Sequence, residues 1–218
     1  MPPRADHPLL RPVLSRLHRT VEDQLGVPCE LHLAERDLLR AALVRQPVPQ
    51  VDLHADDVPL GDTGARITTL WVKLDDVALH GPRLRPEVTA GRGRFVATFL
   101  DEAIDGLVDL PPVVDHVWLL GDGLRVNTVA GVAVTCDLGL EGSQVVVRPR
   151  LPEPLDRRLP WRRLAHPVPD LPFGATLETL EVDRGQVVAT GSLNAEHLQC
   201  SVGSVGSVGS AGSAGPAG

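Results

Sequence analysis

The residues of this chain with the means to do chemistry are its eight histidines, its three cysteines and a few paired acids. Imidazoles at short fixed spacings hold zinc, and a single one beside a carboxylate moves protons near neutral pH. Here the histidines are scattered, with neither HExxH nor HxH spacing, so the sequence predicts no metal site. Cys29, Cys136 and Cys200 are widely spaced and form no CxxC pair. An odd count argues against a disulfide scaffold. A Cys29–Cys136 bridge stays open, but two independent, partly buried thiols fit better. To act as an acid–base couple, Asp56-Asp57 or Asp75-Asp76 would have to converge on one substrate atom. Strand neighbours point to opposite faces, so both pairs read as turn or bulge acids.

Other catalytic patterns fail as well. Ser143 follows Glu141-Gly142 where a hairpin needs a turn, and no GxSxG is present. Gly91-Arg92-Gly93 begins a dinucleotide fingerprint that breaks at Val96, and Gly121-Asp122-Gly123 breaks in the same way. The expectation is a non-enzymatic protein without a cofactor. What remains is binding. Asp156-Arg157-Arg158-Leu159-Pro160-Trp161-Arg162-Arg163-Leu164 sets four guanidinium groups around an indole. Such a loop suits phosphate headgroups at an anionic membrane surface, each basic residue contributing about 1 kcal/mol. A solvated loop with one anchoring Trp is the plainer alternative.

The totals narrow the field. The chain has 218 residues, of which 43% are apolar, enough for one self-supporting core. A net charge of -7 and a pI near 5.6 argue against a nucleic-acid partner. Met1 to Pro8 lacks the apolar run of a secretory signal, so the chain as written reads as cytoplasmic; a start further upstream would place it in the cell envelope.

The positioning elements follow from periodicity. Leu10, Val13, Leu14, Leu17, Val21 and Leu25 recur at helical spacing, ended by Gly26 and Pro28. A second helix is expected from Glu35 to Val44. Val51, Leu53 and Ala55 then alternate as a half-buried strand, and Leu70, Val72 and Leu74 share one face of another. A phase slip at Asp75-Asp76, before Val77 and Leu79, predicts a bulge. Val96, Phe99, Leu100, Ala103, Ile104 and Leu107 form a stripe that predicts a third helix, stopped at Pro111-Pro112. Val113 to Pro149 reads as a β-meander, with reversals at Asp122-Gly123, Ala130-Gly131 and Glu141-Gly142-Ser143. Pro149 to Pro172 reads as a connection, and Thr176–Val182 with Gln186–Leu193 as a closing hairpin. Glycine-ended triplets from Ser201 to Gly218 read as a flexible tail.

Ala55-Asp56-Asp57-Val58-Pro59-Leu60-Gly61, the strand Ile67 to Val77, and Leu171-Pro172-Phe173-Gly174 leading into Leu177–Val182 resemble, in this order, the LmeA-like phospholipid-binding family of actinobacterial envelope proteins. The resemblance runs from about Leu9 to Leu193. It implies a helix embraced by a curved antiparallel sheet around an elongated apolar groove, similar to tubular lipid-binding folds. The chain departs from the family's pattern at its start, where no signal is visible, and between Val129 and Val132, where it is short. The second departure implies a tighter meander and a smaller groove.

The expected architecture is therefore α+β: an N-terminal amphipathic helix packed against or wrapped by a long curved antiparallel sheet. Residues 1–8 and 199–218 are expected to be disordered around one domain, 9–198. From face and phase, Leu70, Val72, Leu74, Val132, Val134, Leu138, Leu180 and Val182 would line the groove. Arg157, Arg158, Arg162 and Arg163 would meet a headgroup, and Trp161 would sit at the interface. The partner implied is a phospholipid or similar amphiphile. The rival expectation is a protein-interaction module with a filled core.

Overall fold

A computed structural model describes residues 11–44, 46–60, 64–80, 87–104, 110–151, 163–168, 171, 174–193 and 200–201. In chain order these form α1 (Arg11–Leu25), β1 (Cys29–His32), α2 (Glu35–Val44), β2 (Val48–Pro59), β3 (Arg66–His80), β4 (Glu87–Thr89) and β5 (Arg92–Phe99). A 3-10 turn (Asp101–Ala103) precedes β6 (Val114–Leu119), β7 (Leu124–Thr128), β8 (Ala133–Glu141), β9 (Gln144–Pro149) and β10 (Leu164–Pro167). The chain closes with β11 (Ala175–Asp183), β12 (Gln186–Leu193) and β13 (Cys200–Ser201).

Antiparallel sheet dominates. The larger sheet has eight strands in the order β1-β2-β3-β5-β12-β11, with β4 on β3 and β13 on β4, and it curls into a half-barrel. The smaller is a meander in the order β10-β9-β8-β7-β6. One apolar core joins both sheets and the helices, with Leu60, Leu124, Val126, Val147 and Val187 among its most deeply buried members. Each such side chain contributes about 1.5–3 kcal/mol of burial. Leu14, Val21 and Leu25 of α1 are buried in that core. His18 Nε2 lies 2.7 Å from the Cys29 carbonyl, which ties α1 to the edge strand β1.

The curl has a readable origin in the β2–β3 ribbon. Buried side chains in β2 fall at Val48, Val51, Leu53, Ala55 and Val58, and their partners in β3 are Val77, Leu74, Val72, Leu70 and Ile67 in that order. Both strands therefore skip a residue at the same two levels, and the inward face is kept across each bend. No residue is inserted, because the pairing runs in one register from Val48↔Val77 to Pro59↔Arg66. Asp57 and Asp76 sit at the two bends with φ of 57° and 54°. Aspartate tolerates this left-handed backbone better than most residues. Arg66 clasps Asp57, its Nη2 donating to Oδ2 at 2.8 Å and to the carbonyl at 2.7 Å. The bulge expected at Asp75-Asp76 is thus a bend without a register shift.

Three further expectations need revision. The stripe from Val96 to Leu107 is not a helix over its first half. Gly93, Phe95, Ala97 and Phe99 are buried in alternation within β5, whereas Arg94 and Val96 are exposed. Pairing of β5 with both β3 and β12 decides the outcome over local spacing. Residues 105–109 lie outside the described residues. The Pro149 to Pro172 connection contains a strand, β10, paired with β9. Cys200 and Ser201, assigned to the tail, pair with Val88 and Glu87. The remainder of the tail and residues 1–8 lie outside the described residues.

Candidate functional site

An apolar cavity of about 40 Å³ lies on the concave side of the larger sheet. Its floor is sealed by Leu60, Ile67, Ala97 and Phe99, all buried. Leu70, Val72, Phe95, Leu180 and Ala189 form the walls, and Val145 of the meander closes over them. Val168, Leu171, Ala175 and Leu177 complete one side; they are only half-buried and form its rim. Every described lining residue is aliphatic or phenylalanine, and none of these side chains offers a hydrogen bond to orient a polar reactant. Its volume exceeds the roughly 10–15 Å³ that one water needs, but such a lining favours a dry void.

Glycines allow the walls to approach. A Cβ on Gly191 would lie 2.6 Å from Phe95 Cε1 and would also strike the Thr176 carbonyl. A Cβ on Gly93 would lie 2.7 Å from Leu193 Cβ. The Phe95 ring therefore occupies space that any side chain at 191 would claim.

Of the expected lining residues, Leu70, Val72 and Leu180 border the cavity. Leu74, Val134, Leu138 and Val182 belong to the surrounding core but do not line it. Val132 is 53% exposed, which removes it from any interior. It sits in the β7–β8 reversal, where its N–H donates to Thr128 Oγ1 (3.2 Å) and its carbonyl accepts from the Thr128 N–H (2.9 Å). Floor residues Ala97 and Phe99 were hidden by the helical stripe, although the alternation Gly93, Phe95, Ala97, Phe99 was their signal.

Arg157, Arg158, Trp161 and Arg162 lie outside the described residues. Arg163 is exposed and its Nη2 pairs with Glu141 Oε2 at 2.9 Å. Glu141 also engages Arg148, so one carboxylate serves two arginines at this corner of the meander. A third arginine, Arg150, braces the Asp122-Gly123 turn: Nε donates to Asp137 Oδ1 (2.5 Å) and Nη2 to the Asp122 carbonyl (2.7 Å). Its hydrogen bonds to the Asp137 and Asp122 carboxylates, Asp137's first, raise the Arg150 pKa above its ordinary value.

Cys29 and Cys136 are free and buried. Burial, reinforced by Glu22, pushes the Cys29 thiol up to about 11. Burial chiefly, then Asp137, pushes Cys136 up to about 12, with Arg150 opposing. Neither is an activated nucleophile at neutral pH.

The outer face of the larger sheet differs from the inner one. Trp71 is 49% exposed and stacks on His54 with ring centroids 4.1 Å apart. Val96 stands opposite Trp71 and is also exposed. Among the described residues no helix is long and apolar enough to cross a membrane. In comparison with known proteins, no family model matches the chain, and no curated protein or solved structure matches it.

Proposed function

We propose that this chain is a non-enzymatic binding protein that takes the aliphatic part of a phospholipid or similar amphiphile between its two sheets. The observation that carries this reading is that every described residue lining the cavity is apolar, most of them buried and Val168, Leu171, Ala175 and Leu177 half-buried. Such a surface recognises methylene groups, each worth about 0.8 kcal/mol on transfer, and discriminates poorly among polar substrates. The volume of about 40 Å³ admits little more than the end of a chain. The ordered segments that resemble the LmeA-like family support the same reading and extend it to the bacterial envelope. Arg163 and its arginine-rich neighbours in sequence would then face the headgroup.

The small volume favours one second reading, a protein-interaction module whose core is filled. Native mass spectrometry after incubation with phosphatidylglycerol-containing vesicles separates the two. The lipid reading expects a bound-lipid mass that is lost in Ala189→Leu, which fills the cavity from its wall. An apo mass for the parent chain, with no uptake from vesicles, overturns that reading in favour of the filled core.

A further inference from the structure

Outside the cavity, three side chains of different chemistry meet where α1 turns into β1. His18 and Glu22 lie one helical turn apart on α1, the i and i+4 positions that share a face. Gly26, with φ of 70°, ends the helix as its N–H donates to the Glu22 carbonyl at 2.8 Å. Val27 and Pro28 then return the chain so that Cys29 opens β1 beside the same face. A ligand atom from each of His18, Glu22 and Cys29 lies within 4.8 Å of the other two. Cys29 is buried, His18 and Glu22 half-buried.

The hydrogen bonds around His18 make this cluster unusual. Its Nε2 is 2.7 Å from the Cys29 carbonyl, which can only accept, so the ring donates from Nε2. The other ring nitrogen, Nδ1, lies 3.2 Å from Glu22 Oε2. A ring N–H given to a backbone carbonyl is also how metal-bound histidines are usually held, because it fixes the tautomer and aims the other nitrogen.

We propose that His18 Nδ1, a Glu22 carboxylate oxygen and Cys29 Sγ form a zinc site that clips α1 to β1, with water as the fourth ligand. Mixed nitrogen, oxygen and sulfur donors suit zinc and disfavour magnesium or calcium, which take oxygen. Bond lengths of about 2.0–2.3 Å would bring the three side chains together around the ion. Two histidines at a fixed spacing, the pattern sought in the sequence, are not needed; the sulfur arrives from the strand after the helix cap. The site lies apart from the cavity and does not depend on the lipid reading.

The test is cobalt titration of the full, reduced, metal-free chain, read by the thiolate-to-cobalt absorption band and its displacement by zinc. The expected result is one band saturating at one cobalt per chain. It should vanish in Cys29→Ser, persist in the Cys136→Ser/Cys200→Ser double variant, and need at least about tenfold more cobalt in Glu22→Gln. Glu22 is half-buried and its replacement spares the core, so this arm holds even where Cys29→Ser fails to fold. Zinc should also raise the melting temperature of the parent chain and not of Glu22→Gln. No band, or a band that survives Cys29→Ser, overturns the proposal.

Discussion

The two sheets of this protein are built by opposite routes. In the five-stranded sheet each strand from β6 to β9 pairs with the next in sequence, and turns of a few residues join β6 to β9, with β10 following 14 residues later. The eight-stranded sheet is drawn from distant stretches: β5 lies between β3 and β12, so Phe99 faces Val187 across the ladder. Closing such a sheet orders a long intervening chain before any pairing is gained, whereas the meander forms from local contacts. The candidate cavity belongs to the costly sheet. Its floor brings Leu60, Ile67 and Phe99 together, and Ala189 from the C-terminal hairpin joins the wall. An interior of this kind exists only once the whole domain has closed.

The comparison can be broken in the larger sheet first. Gly191→Ala should cost more than about 4 kcal/mol, because its Cβ meets the Thr176 backbone and the Phe95 ring at once. Urea denaturation should show little folded protein; near-parental stability would mean the strands can part at this point. Next come matched truncations, one in each sheet. Phe99→Ala should cost about 3–5 kcal/mol and Leu124→Ala about 2–5, since both side chains are buried. Both should shift one common transition when followed by far-ultraviolet dichroism and by tryptophan fluorescence, because one core joins the sheets. Separate transitions would show that the meander stands alone.

The smallest effect sharpens the meander alone. Burial pushes its Cys136 thiol up to about 12 in the folded chain from an ordinary 9.0. The folded state thus holds this proton more tightly than the unfolded one. Its contribution to stability is complete below pH 9 and is lost as pH rises from 9 toward 12. The alkaline loss of stability should be steeper in the parent than in Cys136→Ala, compared by denaturation at several pH values. Equal slopes would mean that the thiol is not protected.

The same contrast explains what the sequence made legible. The meander's reversals at Asp122-Gly123, Ala130-Gly131 and Gly142 stand where local turn chemistry put them, and Gly131 and Gly142 have positive φ. The closing hairpin of Thr176–Val182 with Gln186–Leu193 and the helix Glu35–Val44 were equally local and equally readable. Which strands become neighbours in the larger sheet was not encoded within any short window. Nor was the state of Val96 to Phe99, whose apolar residues fit a helical stripe and a strand face alike until β3 and β12 flank them. Val132 failed for a subtler reason: its alternation with Val134 continues past the point where the Thr128 hydrogen bonds turn the strand. Within the candidate site, Leu70, Val72 and Leu180 could be found by face and phase, but the floor depends on non-local pairing. Antiparallel sheet was legible in the alternation of its strands, and Val145 shows that the meander contributes to the cavity lining.

The paired bends at Asp57 and Asp76 also set a rule for length. Between them, Val51 to Ala55 and Leu70 to Leu74 form a straight facet of five residues per strand, about 17 Å long. A residue gained by β2 alone would turn the rest of that strand inside out. The chain can lengthen here only by matched additions to both strands.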